Sequence, residues 1–337
     1  EEQAMTAHYK NIVVHLPNWL GDTMLALPFL HGLRSVFPDA RITAAGRLWV
    51  SDILHHFPPL DAVASISSTS GLINYLRGEK FDLGFLLPNS FRTALAFKLG
   101  RVPERAGYAL DMRGILLTHP LKLTDAIMRE SMVEYYMRLL EPFADISEIP
   151  RIMKLYPDEA DRAEARRVFL ENGWDGSSKL VGVNPFAFQW DTKRWLPERF
   201  AEVADRLAER YGVRCVFSSV EKDRPLMEKI KGMCRRPIID LVGKVPLKIL
   251  PAFMEHLSLF ITNDSGLMHV AAAADIPIVA VFGSTDWQRT APWSQKATLI
   301  RRQQDHEPCM KPTCSRDFRC MNDISVDEVF NAAEKYL

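Results

Sequence analysis

The sequence predicts an α/β protein of two domains, each built around a doubly wound parallel sheet. The chain has 337 residues, which is more than one ordinary hydrophobic core organises, so two domains are expected. Short apolar runs alternate with helical patterns through both halves, which is typical of parallel βαβ units. Two such domains facing a central cleft would hold a ligand at the carboxyl ends of their strands.

The first half begins with a continuous apolar run, Asn11–Leu16, of the kind that forms a strand buried on both faces. A turn follows, and a helical pattern extends from Asp22 to about Phe37, where Pro38 ends it. The further segments predicted in this half are the strands Arg41–Gly46, Ala62–Ile66 and Phe81–Leu87 and the helices Leu48–His56 and Phe91–Leu99.

A stretch rich in proline and acidic residues, Pro142–Pro157, separates the halves and lacks a strong periodicity. We therefore place a first domain at residues 1–157 and a second at 158–324. Residues 325–337 contain a terminal amphipathic helix that we expect to pack back on the first domain. The segments predicted in the second domain are the strands Leu180–Asn184, Val213–Ser218 and Pro237–Leu241 and the helices Glu159–Glu171, Pro197–Tyr211, Leu226–Met233 and Leu247–His256.

The composition argues against several classes of protein. Lysine plus arginine equals aspartate plus glutamate at 42 each, so the overall charge gives no support for a nucleic-acid partner. No apolar run approaches the roughly 20 residues needed to cross a bilayer, and the first residues lack the basic and apolar regions of a secretory signal. Five cysteines, an odd number, do not suggest a secreted disulfide framework. We therefore expect a cytoplasmic protein.

The segment Ile261–Asp286 is the most informative part of the chain, because it combines a strand, a polar turn, a small-residue helix and a second strand. Asp264, Ser265 and Gly266, with Asn263 before them, fall at the strand-to-helix junction. Side-chain oxygens there can cap the helix, and glycine lets a ligand approach the backbone. The free N–H groups and the dipole of a helix start suit an anion such as a diphosphate. His269 lies three residues after Gly266, near the same site.

Asp22 follows the first strand and Gly21. A carboxylate at the rim of a cleft can act as a general base toward a substrate hydroxyl. An aspartate is equally common at a helix start without any catalytic role. Because a carboxylate repels phosphate, this first turn is not expected to bind the nucleotide.

Two charged residues of the second half have a functional and a structural interpretation. Lys193 lies in the loop after Leu180–Asn184, where an ammonium group can neutralise a diphosphate or remain a solvated loop charge. Glu221 follows the strand Val213–Ser218, where an acid can bind ribose hydroxyls or simply favour a helix start.

Basic residues accumulate in the first half between Arg92 and Arg113. This group could bind an anionic acceptor or form a solvated face. Its members are Arg92, Lys98, Arg101, Arg105 and Arg113.

Three of the cysteines, Cys309, Cys314 and Cys320, cluster near the end of the chain with His306 nearby. Their spacing differs from the usual zinc-binding pairs, so the thiols are either incidental or the ligands of a metal. We expect no metal and no cofactor. No Gly-x-Gly-x-x-Gly, P-loop or Gly-x-Ser-x-Gly motif occurs, which argues against common dehydrogenases, kinases and hydrolases.

Several segments, in order along almost the whole chain, together carry a resemblance to a known family. They are Asn18–Asp22, Leu87–Phe91, Lys193–Trp195 with Pro197, Asn263–Ala273, Phe282–Ser284 and the tail Cys309–Cys320. The chain resembles the heptosyltransferases of lipopolysaccharide inner-core synthesis, which are family 9 glycosyltransferases, and most of all their heptosyltransferase II branch.

The resemblance implies a GT-B fold of two Rossmann-like domains and an inverting transfer from ADP-L-glycero-D-manno-heptose to a heptosyl-Kdo-lipid A core. It implies that Asp22 deprotonates the acceptor and that Lys193 holds the diphosphate. Glu221 would bind the ribose and Asp264 the heptose hydroxyls. Ser265 and Gly266 would offer N–H groups to the phosphates, supported by His269, while Arg92 and Arg113 would suit the anionic acceptor.

The lipid-linked acceptor implies peripheral contact with the inner face of the cytoplasmic membrane. Two alternatives remain at this stage. One is a family 9 enzyme that uses another nucleotide sugar. The other is a two-domain small-molecule-binding protein, which would need no acid at position 22 and would normally carry an export signal.

Overall fold

The computed structural model of the chain describes residues 9–187, 190–302 and 308–337. The chain divides into two compact units, Glu1–Tyr156 and Pro157–Leu337, whereas the sequence placed the boundary after residue 157. Each unit contains one parallel sheet of six strands with helices between them. The predicted α/β class with two doubly wound parallel sheets is therefore confirmed.

The sheet of the first unit has its most apolar strands at its centre. Its strands are β1 Asn11–His15, β2 Arg41–Gly46, β3 Ala62–Ser65, β4 Leu83–Leu86, β5 Glu104–Tyr108 and β6 His119–Leu121. They are ordered β3-β2-β1-β4-β5-β6, and every neighbouring pair is parallel. The residues of β4 are all buried, whereas the edge strand β3 is only partly buried, as expected when helices cover both faces of a sheet.

The first predicted helix of this unit is in fact two helices. Its pattern from Asp22 to Phe37 is divided at Ala26, because Pro28 lies in the first turn of the second helix and has no N–H to continue the first. The helices of the unit are α1 Leu20–Leu25, α2 Leu27–Val36, α3 Val50–Ile53, α4 Thr69–Glu79, α5 Phe91–Leu99, α6 Asp125–Arg129 and α7 Met132–Met137.

The second sheet repeats the topology of the first. Its strands are β7 Leu180–Asn184, β8 Arg214–Phe217, β9 Ile238–Asp240, β10 Leu257–Asn263, β11 Ile278–Phe282 and β12 Ala297–Arg301. They are ordered β12-β11-β10-β7-β8-β9, again with parallel neighbours. Counted from β7, this is the same order as in the first unit.

The helices of the second unit surround this sheet. They are α8 Glu159–Glu171, α9 Pro197–Tyr211, α10 Arg224–Met233, α11 Leu250–Glu255, α12 Gly266–Ala273, α13 Trp287–Thr290, α14 Arg319–Asn322 and α15 Val326–Ala333. Within the described ranges, none of the helices has both the length and the apolar composition that crossing a membrane requires.

The terminal helix α15 corrects an expectation, because it packs within the second unit. Val329 and Phe330 belong to the hydrophobic core of that unit, and α15 lies against α9. The guanidinium of Arg206 on α9 stacks 4.2 Å from the centre of the Phe330 ring and pairs with Asp327 at 2.7 Å. The predicted amphipathic face is present, and it completes the hydrophobic core of the second unit.

The topology identifies where each sheet can hold a ligand. In a sheet of this order the chain runs outward in opposite directions from two adjacent central strands, and a crevice opens beyond their carboxyl ends. These strands are β1 and β4 in the first unit and β7 and β10 in the second. Asp22 follows β1 and Asp264 follows β10, so both predicted sites lie at these positions.

Candidate functional site

The helix start of α12 is available to a ligand. Ser265 occupies the N-cap position in an extended conformation, but its side chain makes no capping hydrogen bond. The Ser265 hydroxyl instead accepts a hydrogen bond from Nδ2 of Asn184, at 2.8 Å. The sequence suggested that side chains of this junction cap the helix, but the side chain of Ser265 does not cap α12. The first N–H groups of α12 keep their capacity to bind an anion.

Asn263 holds the start of α12 in place through the hydrogen bonds of its side chain. Its side chain is fully buried, accepts a hydrogen bond from the backbone N–H of Trp195 at 2.9 Å, and donates one to the carbonyl oxygen of Pro185, also at 2.9 Å. One amide group thus ties the loop after β7 and the segment next to Lys193 to the end of β10. Asn263 positions the site rather than facing a ligand.

Lys193 and Asp264 form an ion pair at the same edge of the sheet. Their Nζ and Oδ2 atoms are 3.0 Å apart, and the Lys193 side chain is 24% exposed against 5% for Asp264. The hydroxyl of Thr285 donates a second hydrogen bond to the same carboxylate oxygen, at 2.7 Å. These two partners offset part of the cost of burying the carboxylate. The structure therefore brings together two residues that the sequence predicted separately for one site.

His269 is buried beside this ion pair. The pKa of His269 is lowered from 6.5 to about 4, mainly by burial; the charge of Asp264 raises it and that of Lys193 lowers it, and both are smaller effects. The imidazole is therefore neutral at neutral pH. Its Nδ1 atom, like Oδ1 of Asn184, is buried and has no hydrogen-bond partner among the described residues. Buried polar atoms are seldom left unpaired, so these two atoms are candidates to bind a ligand.

A chain of hydroxyl groups fixes the loop that carries Lys193. The hydroxyl of Ser284 donates to that of Thr192 at 2.8 Å, and Thr192 donates to the carbonyl oxygen of Lys311 at 2.6 Å. Sequence analysis assigned no role to Asn184, Thr192 or Thr285. The available signal was their position, since each lies at or just beyond the carboxyl end of a strand or in the loop that follows it.

Glu221 lies in a short 3-10 turn after β8, which is the neighbour of β7 in the sheet. Its side chain is 71% exposed and pairs with Arg224 at 3.3 Å, while Arg224 also pairs with Asp240 at 2.7 Å. Gly243 approaches the carboxylate so closely that a Cβ atom there would lie 2.1 Å from Oε2 of Glu221. The carboxylate of Glu221 is thus exposed and paired with Arg224, at the same edge of the sheet as the start of α12.

In the first unit, Asp22 lies in the first turn of α1 and is partly buried. This position fits both the catalytic and the helix-start interpretation. His15, at the end of β1, is a residue that sequence analysis did not single out. Burial lowers its pKa from 6.5 to about 4, and its Nδ1 atom is buried without a hydrogen-bond partner in the described part of the chain.

The two predicted acceptor arginines differ sharply. Arg92 is exposed in the first turn of α5, whereas Arg113 is completely buried. The guanidinium of Arg113 donates to the carbonyl oxygens of Tyr108 and Pro88 and to Oδ1 of Asn89. The predicted direct contact between Arg113 and an acceptor is therefore wrong for this conformation, because the N–H groups of Arg113 hold the loop after β4.

The cysteine-rich tail gives no support to the metal interpretation. Cys309 and Cys314 are half-buried thiols and Cys320 is buried. Among the described residues the three sulfur atoms do not converge to metal-ligand distances. His306 lies outside the described residues.

Two units with this sheet order have the architecture of the GT-B class, to which solved structures similar to this chain belong. The model of glycosyltransferase family 9 (heptosyltransferase) matches residues 70–318, and the chain belongs to this family. It is therefore an enzyme, and the alternative of a small-molecule-binding protein is wrong.

The chain is similar to known proteins along nearly its whole length. It is 28% identical to lipooligosaccharide heptosyltransferase 2 of Campylobacter jejuni, over 97% of this chain and 98% of the relative. A family 9 glycosyltransferase structure from Veillonella parvula has a TM-score of 0.87 at 26% identity, with 97% of both chains covered. The structure of ADP-heptose lipopolysaccharide heptosyltransferase II of E. coli has a TM-score of 0.79 at 25% identity, covering 96% of this chain and 97% of the other.

Proposed function

We propose that the protein transfers a heptose from ADP-L-glycero-D-manno-heptose to the heptosyl-Kdo-lipid A inner core of lipopolysaccharide, with inversion at the anomeric carbon. The observation that carries this proposal is the uncapped start of α12 at Ser265 and Gly266, next to Lys193. The names of the relatives, which include a lipooligosaccharide heptosyltransferase and an ADP-heptose lipopolysaccharide heptosyltransferase, support the sugar and the acceptor.

In this proposal the donor diphosphate binds the N–H groups of Ser265 and Gly266 and draws the ammonium group of Lys193 away from Asp264. Asp264 then accepts hydrogen bonds from heptose hydroxyls, which replace the lost contact with Lys193. His269 supports the site as a neutral imidazole, and Glu221 accepts hydrogen bonds from the ribose. The positive end of α12 and Lys193 stabilise the negative charge that develops on the leaving ADP.

Asp22 is the proposed general base. It removes the proton of the acceptor hydroxyl as that oxygen attacks the anomeric carbon, while the bond to ADP breaks on the opposite side. One displacement of this kind inverts the anomeric configuration. Arg92 is the proposed contact to a carboxylate or phosphate of the acceptor, because its guanidinium is exposed.

The lipid-linked acceptor places the enzyme, in this proposal, at the inner face of the cytoplasmic membrane as a peripheral protein. Both substrates then meet where the lipid A core is embedded. The nucleotide remains the feature most easily tested, because a family 9 enzyme using another nucleotide sugar would select a different base.

The decisive experiment is a comparison of ADP, UDP and GDP as stabilising ligands, followed by transfer from ADP-heptose to a heptosyl-Kdo-lipid A acceptor. A ligand that binds only the folded state raises the melting temperature. ADP should raise it clearly above the effect of equal concentrations of UDP and GDP. A larger effect of UDP or GDP, or no transfer from ADP-heptose, would contradict the proposal.

A further inference from the structure

Two large apolar side chains of the first unit, Met112 and Ile115, stand out by their exposure. Met112 is 83% exposed and Ile115 is 78% exposed, more than any other large hydrophobic residue of the described chain. They flank Arg113 in and beside the 3-10 helix Arg113–Leu116, which packs against α5. Isolated exposed apolar residues are common, but a group of this kind marks a surface that binds something.

Helix α5, against which this 3-10 helix packs, also exposes apolar side chains. Phe91, Leu95 and Leu99 are exposed at 42%, 36% and 44%, and their spacing of four residues places them along one face of the helix. The opposite face of α5 is buried through residues that include Ala94 and Phe97. We call the 3-10 segment with Met112 and Ile115, together with the exposed face of α5, the apolar-basic surface.

The protein builds this surface rigidly. Arg113 is completely buried and holds the 3-10 helix through Tyr108, Pro88 and Asn89. Arg105 donates from Nε to the carbonyl oxygen of Leu116 at 2.6 Å, which holds the other end. Met112 itself has a positive φ of 59°, a conformation that is unfavourable for a residue other than glycine. A non-glycine residue is thus held in a strained turn with its side chain almost entirely exposed.

Positive charge accompanies the apolar groups. Arg92 and Lys98 are exposed on α5, and Arg101 is exposed directly after it. Glu104 is partly buried and accepts hydrogen bonds from Tyr9 and His119, whereas Asp111 is exposed beside Met112. The sequence treated all the basic residues of this region as one group, but the structure separates exposed cations from the buried anchors.

We propose that the apolar-basic surface docks the enzyme on a bilayer that contains anionic lipids. Met112 and Ile115 enter the boundary between head groups and acyl chains, and Lys98 and Arg101 pair with lipid phosphates. Apolar insertion and electrostatic attraction are the two contributions that together give a peripheral protein stable membrane binding. The proposal rests on the proposed function only in that a lipid-linked acceptor requires a membrane partner.

The test is cosedimentation of the full chain with vesicles of phosphatidylcholine alone or with about one third phosphatidylglycerol. The wild-type protein should bind the anionic vesicles and bind the neutral ones weakly. The double variant Met112→Ser/Ile115→Ser should lose at least about tenfold in vesicle affinity, because each exchange removes an inserted apolar side chain. Lys98→Gln/Arg101→Gln should lose several-fold and show a weaker dependence on salt.

The matched control is Leu170→Ser/Met233→Ser, which changes two partly exposed apolar residues of the second unit and should bind vesicles like the wild type. Thermal melting verifies that each variant folds. Wild-type protein that ignores anionic vesicles, or Met112→Ser/Ile115→Ser that binds them normally, would overturn the proposal. A wild-type dimer that the same variant dissociates, without any change in vesicle binding, would assign the surface to self-association instead.

Activity measurements separate this inference from the proposed function. With a water-soluble, deacylated core acceptor, Met112→Ser/Ile115→Ser should turn over like the wild type, whereas with the acceptor embedded in vesicles its rate should fall about tenfold. Loss of wild-type transfer on both acceptors would reject the function and leave the vesicle result standing. Equal rates for both proteins on embedded acceptor would reject the docking surface alone.

Discussion

At the scale of the residue, Asp22 and Lys193 belong to different units of the chain, so their proposed roles can be tested separately. Asp22→Asn removes the base but no group of the second unit. We expect the transfer rate to fall by about 10²–10⁴-fold, the range of general base catalysis, while ADP affinity measured by calorimetry is unchanged. Asp39→Asn, which alters an exposed acid of the same unit, is the control and should be fully active. Near-normal turnover of Asp22→Asn would reject the assignment of the base.

Lys193→Ala should weaken ADP binding by about ten- to a hundredfold, the effect of losing hydrogen bonds to a charged group. It also leaves the buried Asp264 without its cation, so the single variant should be less stable than the wild type. The measurements are calorimetry with ADP and a thermal melt.

A second variant separates the two effects of this substitution. Lys193→Ala/Asp264→Asn removes both charges and should recover stability, although ADP binding stays weak. Lys244→Ala, an exposed lysine that bonds Asn172, is the control. Recovery of ADP affinity in the double variant would show that Lys193 acts only by balancing Asp264.

Individual residues also show which features of the site could be predicted from the sequence and which could not. The type and spacing of Asp264, Ser265 and Gly266 were sufficient to predict an anion site, because the chemistry is local to one helix start. Arg92 and Arg113 looked equivalent in the sequence, yet one is exposed and the other is buried among carbonyl groups. That difference depends on which loop the fold brings against each side chain, and no local pattern records it.

At the scale of the element, the turn that carries Glu221 depends on Gly243. Gly243 has a φ of +73°, and any Cβ there would collide with the carboxylate of Glu221. Gly243→Ala should therefore cost about 1–2 kcal/mol of stability from the backbone conformation alone and should displace Glu221. ADP affinity should fall with it.

The control for this variant is Gly232→Ala in helix α10, where a Cβ has nothing within 4 Å. That exchange should stabilise the protein slightly, by about 0.5–1 kcal/mol. Denaturant unfolding and calorimetry with ADP measure both effects. Unchanged ADP binding by a folded Gly243→Ala protein would remove Glu221 from the donor site.

The elements themselves were predictable where the pattern was strong. Helices Phe91–Leu99 and Pro197–Tyr211 have the predicted bounds, because caps or proline mark their starts. The strands β5, β6 and β12 were not predicted, since they are short and only partly apolar; β6 and β12 are edge strands, and β5 is the neighbour of β6. The division between α1 and α2 was missed because the apolar periodicity continues across Ala26.

At the scale of the whole molecule, acid should destabilise the protein through its buried histidines. The pKa of His269 falls from 6.5 to about 4 on folding because of burial. A lowered pKa in the folded state gives stability that is present above pH 6.5 and is lost as the pH falls from 6.5 toward 4. The expected loss is about 2 kcal/mol at pH 5. His15 acts in the same direction in the other unit.

Urea unfolding at pH 7 and pH 5 measures this dependence. The double variant His15→Gln/His269→Gln should lose less stability than the wild type between the two values, because glutamine does not titrate. His56→Gln, at an exposed histidine, should behave like the wild type. Equal losses for all three proteins would show that other groups control the acid response.

Two doubly wound parallel sheets were predictable from the alternation of strands and helices, since that alternation leaves few topologies. The destination of the terminal helix was not predictable. An apolar helix face can pack against many apolar surfaces. The contacts of α15 with α9 determine that it completes the core of the second unit.

The ion pair between Lys193 and Asp264 has a consequence for the last step of the reaction cycle. In the proposed reaction the heptose hydroxyls leave with the acceptor after transfer, and Asp264 then lacks its cation while ADP still holds Lys193. Return of the ammonium group to the carboxylate restores the pair and competes with the diphosphate. In the proposed cycle the ion pair therefore favours the departure of spent nucleotide over its retention.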